Sequence, residues 1–162
     1  MMVSPMPNWV ILAGFVIGGA ARGLGVGLIV TVVSLFFTDL DLRHPFLTLM
    51  VVIMTALLFS IGGFVNALLA KKFDDISIIP IFVLTPLTYL GGVFYSIDLL
   101  PEFWQNVTMI NPILYMVNAF RYGILGISDI PVGGALVAIA VFIVAFWFLA
   151  LWMLNRGKGI RS

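Results

Sequence analysis

The 162-residue sequence has no cysteine, a single histidine (His44) and few charges, with 8 Lys plus Arg against 7 Asp plus Glu, 9% of the chain. Without cysteine there is no disulfide framework, no thiolate nucleophile and no thiolate metal ligand. One histidine excludes a His-rich site. A net charge of +1 leaves no basic surplus to neutralise phosphates, which excludes nucleic acid as a partner. So low a charge fraction, against about 25% in soluble domains, also excludes an ordinary water-soluble globule. What the chain does hold is apolar bulk: 62% hydrophobic residues, 14 Phe, 4 Trp and 4 Tyr, and a mean hydropathy of +1.20. Disordered chains are poor in such residues. An integral membrane protein remains.

A membrane helix needs roughly 20 apolar residues to cross about 30 Å of hydrocarbon. Four stretches are long enough: 9–37, which holds one charge, Arg22, and 46–70, 76–97 and 132–154, which hold none. No period-two alternation of the kind a membrane barrel requires is present, so the spans are expected to be helices. The fold class is therefore all-α, with four transmembrane helices and a longer connection at 98–131. The loops carry most of the charge. Lys71 and Lys72 fall on the same side as the tail with Arg156, Lys158 and Arg161, while the opposite loops hold Arg43 and Arg121. The positive-inside rule then places both termini in the cytoplasm. Met1 to Asn8 lacks the basic start of a signal peptide, and its Ser-Pro-Met-Pro turn reads as the end of a preceding segment, so an N-terminally truncated chain is expected.

Arg22 stands in the middle of an apolar run, where a charge costs about 2.5–3.5 kcal/mol on insertion scales. Several accounts are open: hydroxyl or amide partners such as Ser60 and Asn66, a long snorkel towards headgroups, an anion-contacting or water-filled cavity, a helix that begins near Ala20 with the preceding residues partly at the interface, or an acidic residue on a segment outside this chain. The same stretch contains Gly14-xxx-Gly18 and Gly23-xxx-Gly27, spacings that predict close helix contact. Gly23-Leu24-Gly25 follows no strand and lacks a third glycine at the required offset, so it is not a dinucleotide fingerprint. No G-x-x-x-x-G-K-S/T occurs, so the chain has no loop of that kind for nucleotide phosphates. No residue set points to catalysis, a cofactor or a metal.

Between the second and third spans, Lys71, Lys72, Phe73, Asp74 and Asp75 place bases at one helix C-terminus and acids at the next N-terminus, which complements both dipoles. The same charges offer a docking surface for a cytoplasmic partner. Pro80 and Pro86 predict a kinked third span, with Thr85, Thr88 and Tyr89 near enough to satisfy freed carbonyls. Residues 98–131 are too long for a turn and too apolar for a solvated loop. Pro112 splits them, and Phe103, Trp104, Tyr115 and Tyr122 suit the headgroup region, so two short helices forming an outer, re-entrant element are expected. His44, in a loop beside Pro45, is expected to be exposed and without a role.

From Leu84 the chain reads L-x2-L-x2-L-G-x-V-x6-L-P-x10-P-I-x-Y-x5-R, on Leu84, Leu87, Leu90, Gly91, Val93, Leu100, Pro101, Pro112, Ile113, Tyr115 and Arg121. This pattern resembles the signature of the type-two ABC exporter permeases. The resemblance implies an ABC exporter transmembrane domain with six spans, of which residues 1–162 would be the last four. It also implies a homodimer of permeases in a bacterial inner membrane, a separate ATP-binding subunit that hydrolyses ATP and whose surface the loop Lys71–Asp75 would face, and a substrate pathway between the permeases. On that plan the chain is a transport subunit and not itself an enzyme. The alternative is a non-transporting membrane anchor or remnant of such a permease.

Overall fold

The computed structural model describes residues 6–37, 42–70, 72 and 74–156. Three long helices dominate: α1 (Asn8–Ser34), α2 (Pro45–Leu69) and α7 (Val132–Asn155). Each starts at or directly after a proline, Pro7, Pro45 or Pro131, where the ring's fixed φ suits a first turn and its missing N–H costs nothing. The shortest has 24 residues, about 36 Å at 1.5 Å per residue, so all three exceed the hydrocarbon thickness. Their outer faces are apolar, with Leu28, Ile29, Val137 and Phe148 exposed, whereas the buried polar residues among those described are Thr108, Asn111 and Asn118. That inversion of a soluble protein's pattern is what lipid as solvent requires.

Two apolar clusters hold the helices together. At one end Leu12 and Val16 of α1 meet Ile61, Phe64 and Val65 of α2 and Ala150, Met153 and Leu154 of α7. Asn8 Nδ2 donates to Asn155 Oδ1 at 2.8 Å there, so the first and last described helices start and finish at the same end of the bundle. Toward the other end Val51 and Leu58 of α2 pack on Ala135 and Ile139 of α7 and on Met116 and Ala119 of a shorter helix, α6 (Pro112–Leu125).

Close approach of α1 to α2 uses a different glycine pair from the two expected. A Cβ on Gly19 would run into the Ser60 side chain, and one on Gly23 would lie 3.8 Å from Ala56 Cβ; Gly14, Gly18, Gly25 and Gly27 have nothing within 4 Å. Gly19-xxx-Gly23 is therefore the contact, fastened by Ser60 Oγ donating to Val16 O at 3.0 Å. Sequence spacing shows which glycines share a face but not which face meets a neighbour.

The expected span 76–97 is shorter than proposed. Its helical run comprises α3 (Asp75–Ile79), a π-helical stretch (Pro80–Leu84) and α4 (Thr85–Leu90), of five, five and six residues. That is about 24 Å, short of the hydrocarbon thickness. It stops at Gly91, and Gly92, at φ +74°, turns the chain in a conformation that only glycine adopts without strain. The expected irregularity at the prolines takes the form of the wider π turn. Pro80 lacks the N–H that Ile76 O would receive, and Asn66 Nδ2 of α2 donates to that carbonyl instead, at 2.9 Å. The polar group that repairs the helix thus comes from α2. Thr88 bonds Leu84 O within its own turn.

Residues 98–131 form two short helices, as expected: α5 (Glu102–Thr108), after a 3-10 turn at Ile97–Leu99, and α6. Asn111 caps α6 by accepting from Ile113 N at 3.0 Å, Pro112 is its first residue, and Gly126 at φ +74° ends it. Far from lying on the surface, α6 is embedded between the N-terminal halves of α2 and α7. A Cβ on Gly123 would strike the Thr48 side chain.

Candidate functional site

Part of the signature converges where α4 ends against the start of α6. Asn111 Nδ2 donates to Leu87 O at 2.6 Å, a carbonyl left over because the helix stops at Leu90. One turn on, a Cβ on Gly91 would lie 2.7 Å from Ile113 Cγ2 and 3.0 Å from Leu87 O, so only glycine lets the two segments touch. Arg121, at the far end of α6, reaches back: Nη2 donates to Gly92 O at 2.7 Å and Nη1 to Asp129 Oδ2 at 3.2 Å. The two side chains are 24% and 14% exposed, Asp129's remaining exposure being that of its backbone. Asp129 is held in turn, its N–H donating at 3.0 Å to Oδ1 of the buried Asn118, whose Nδ2 donates to Leu114 O.

These contacts form one clamp. A guanidinium fork suits two acceptors in different directions, here a carboxylate and a carbonyl, in a way an ammonium does not. Other signature residues act elsewhere. Leu100 O accepts from Gln105 Nε2 at 2.8 Å and Pro101 precedes α5, so these two order the start of that helix. Tyr115 Oη donates to Met109 O at 2.6 Å, bracing the α5–α6 turn. Leu90 ends α4, half-buried.

Two apolar hollows flank the clamp. One, of about 710 Å³, lies between α1, α2 and α6 and is lined by Gly23, Ala56, Phe59, Val93, Val117 and Arg121. A second, of about 240 Å³, lies between α2 and the 75–90 run, bounded by Gly62, Asn66, Pro80, Leu84 and Pro112. Both share Phe59, Ile113 and Met116. Among the described residues no group of three His, Cys, Asp or Glu is placed to hold a metal ion.

The charged loop is described in part, since Lys71 and Phe73 lie outside the described residues. Lys72 N–H donates to Asp75 Oδ2 at 3.0 Å, α2 ends at Leu69 and α3 opens at Asp75, with Asp74 just before it. The acids thus sit at the helix N-terminus, as the dipole argument expects. His44 is exposed, stacked on Tyr122 with ring centroids 5.0 Å apart.

Arg22 is a correction on two counts. The helix does not start near Ala20: α1 runs unbroken from Asn8, which leaves Arg22 mid-helix. Nor do Ser60 and Asn66 pair with it: Ser60 Oγ donates to Val16 O, Asn66 Nδ2 donates to Ile76 O, and Asn66 Oδ1 is buried with no hydrogen-bond partner among the described residues. Asn111, Asn118, Gly92 and Asp129 were not singled out from sequence. Asn-Pro at 111–112 is a helix-start signal that would have identified the first; nothing local marks the other three.

A family model for the ABC-2 type transporter membrane domain matches residues 1–125, from the start of the chain through α6. The chain belongs to the ABC-2 type transporter family. It is 51% identical over all 162 residues to the inner membrane transport permease YadH of Escherichia coli K12, covering 63% of that protein. It is 29% identical over 138 residues to nodulation protein J of Rhizobium leguminosarum bv. trifolii, covering 85% of this chain and 51% of that one. Nodulation protein J of Rhizobium meliloti is 27% identical over 133 residues, 82% of this chain and 50% of that protein. The chain thus spans between half and two thirds of the length of these ABC-2 relatives. No solved structure matches it. Membership agrees with an all-helical structure carrying three membrane-length apolar helices among its described residues.

Proposed function

We propose that the chain is the membrane-spanning part of an ATP-driven ABC exporter permease of the inner membrane, working with a separate ATP-binding subunit. Family membership carries this reading: the ABC-2 match runs through the clamp between α4 and α6. The chain contributes no nucleotide chemistry of its own. Closure of two partner ATPases would press on the cytoplasmic loop at Lys71–Asp75, and α3 and α4 would carry that displacement to the clamp. Energetically this is a population shift. The partner must favour one state by about 5.5 kcal/mol to move it from a hundredth to nearly all of the population. Two permease copies would enclose the pathway, and both termini of this chain would face the cytoplasm. The apolar hollow beside Arg121 suits an amphiphilic substrate.

A C-terminal tag on the native gene, gentle detergent extraction and mass spectrometry of the purified complex test this. The reading expects a Walker-motif ATPase at equal stoichiometry, and loss of transport when that ATPase's phosphate-binding lysine is replaced. Purification without any ATPase would overturn it in favour of a membrane anchor.

A further inference from the structure

Arg22 stands fourteen residues after the start of α1 and twelve before its end. At 1.5 Å per residue that is about 21 Å and about 18 Å from the two ends, so the charge sits near the bilayer centre when α1 spans. Among the described residues it makes no hydrogen bond and no ion pair, and it is exposed. Its neighbours on the helix surface, Phe15, Gly18, Gly25, Val26 and Ile29, are exposed too. Beside them runs a strip of small residues, Gly14, Gly18, Ala21 and Gly25, spaced four, three and four apart along the helix. The three glycines have nothing within 4 Å of a built Cβ. An uncompensated arginine at this depth costs about 2.5–3.5 kcal/mol, and snorkelling over half the hydrocarbon thickness does not bring it to headgroups.

We infer that a further transmembrane helix, from outside these 162 residues, packs on this face of α1 and presents a carboxylate to Arg22. Charge selects the partner. A second copy of this chain is excluded as the donor, because its acids are Asp39, Asp41, Asp74, Asp75, Asp98, Glu102 and Asp129, none of them inside α1, α2 or α7. Asp75 heads the shorter apolar run 75–90, at its end and not at mid-depth. The relatives are longer than the stretch they share with this chain, which leaves room for such a helix within the same polypeptide. The open glycines let a neighbouring backbone come close, as small residues do wherever membrane helices meet, and bring a short acidic side chain within reach of the guanidinium. A carboxylate and an arginine paired there would each offset part of the other's cost of lying in hydrocarbon. The pairing requires that α1 spans the membrane and is independent of whether the permease exports.

In membranes holding the full-length gene product, p-benzoylphenylalanine placed at position 18 or 25 is irradiated and the cross-linked peptides are sequenced. The expected adduct is a membrane-spanning peptide, absent from residues 1–162, that contains Asp or Glu. Arg22→Asp is expected to lower the amount of folded permease in the membrane by about tenfold, and changing the cross-linked peptide's acid to Arg in the same gene is expected to restore it. Adducts to lipid alone, to a second copy of this chain, or to a helix without an acid would overturn the pairing, as would failure of the charge swap to restore the level. Neither readout measures transport, so the result stands apart from the exporter reading.

Discussion

Replacing Arg121 tests whether the clamp between α4 and α6 holds the bundle together. Its fork makes a 2.7 Å hydrogen bond to Gly92 O and a 3.2 Å ion pair with Asp129. A hydrogen bond from a charged donor contributes about 1.5–3 kcal/mol net. With about a quarter of the arginine side chain exposed, the ion pair is discounted toward the surface value of about 1 kcal/mol or less. Arg121→Ala should therefore cost about 2–3 kcal/mol. At about 2–4 °C per kcal/mol for a chain of this size, Tm of the detergent-solubilised protein should fall by about 4–12 °C, read by fluorescence-detected size exclusion after heating. Arg121→Lys keeps the charge but cannot serve two divergent acceptors, so about half the loss should remain. Asp129→Ala should cost less than Arg121→Ala, since the Gly92 contact survives, and the double variant should cost less than the two singles added. A Tm within 1 °C of wild type for Arg121→Ala, or strictly additive singles, would refute the clamp.

Gly91→Ala places a methyl group against Ile113 Cγ2 and the Leu87 carbonyl and should destabilise by about 1–3 kcal/mol in the same assay, with partial recovery in Gly91→Ala/Ile113→Ala. Asn66→Leu removes the donor to Ile76 O and should cost about 0.6–2 kcal/mol; inserting an N–H by Pro80→Ala should make the same substitution milder. Gly19→Leu should disrupt the α1–α2 contact, whereas Gly25→Leu should leave it intact, which disulfide trapping between cysteines introduced on the two helices would distinguish. The absence of cysteine makes single-cysteine labelling clean: positions 72 and 156 should react with an impermeant maleimide from the cytoplasmic face and positions 98 and 102 from the opposite face.

The three long helices were legible because nothing but apolar length and bounding prolines specifies them. Asp74 and Asp75 likewise marked where α3 begins, through helix-dipole placement that operates locally. Other features depended on partners distant in sequence. Gly14-xxx-Gly18 and Gly19-xxx-Gly23 have identical spacing, and only the position of Ser60 on α2 decides that the second pair is the contact. The third span was overextended because Gly91 and Gly92 are tolerated inside apolar runs, and what stops the helix there is Asn111 and Arg121, 24 and 29 residues away from their acceptors. Asn118, a lone polar side chain among apolar neighbours in sequence, is the support on which Asp129 is held.

The short third run and the buried α6 explain each other. A helix of about 24 Å that ended inside hydrocarbon would leave its last carbonyls unpaired, at several kcal/mol for each group. Here Leu87 O and Gly92 O, at and beyond that end, both receive donors from α6 and the residue that caps it. Irregular backbone is thus tolerated at this point because protein, and not lipid, surrounds it. On the exporter reading proposed above, the same arrangement would make the joint the place where a displacement of α3 and α4 is transmitted. Movement of that run along its axis must either carry α6 with it or break the Asn111 and Arg121 bonds, whereas α1 touches the joint only across the open hollow at Gly23. If the proposed exporter reading holds, a variant that loosens the clamp without unfolding the bundle, Arg121→Lys, should therefore uncouple the partner's ATP hydrolysis from transport, with hydrolysis retained and transport reduced. Equal loss of both would place the coupling route elsewhere.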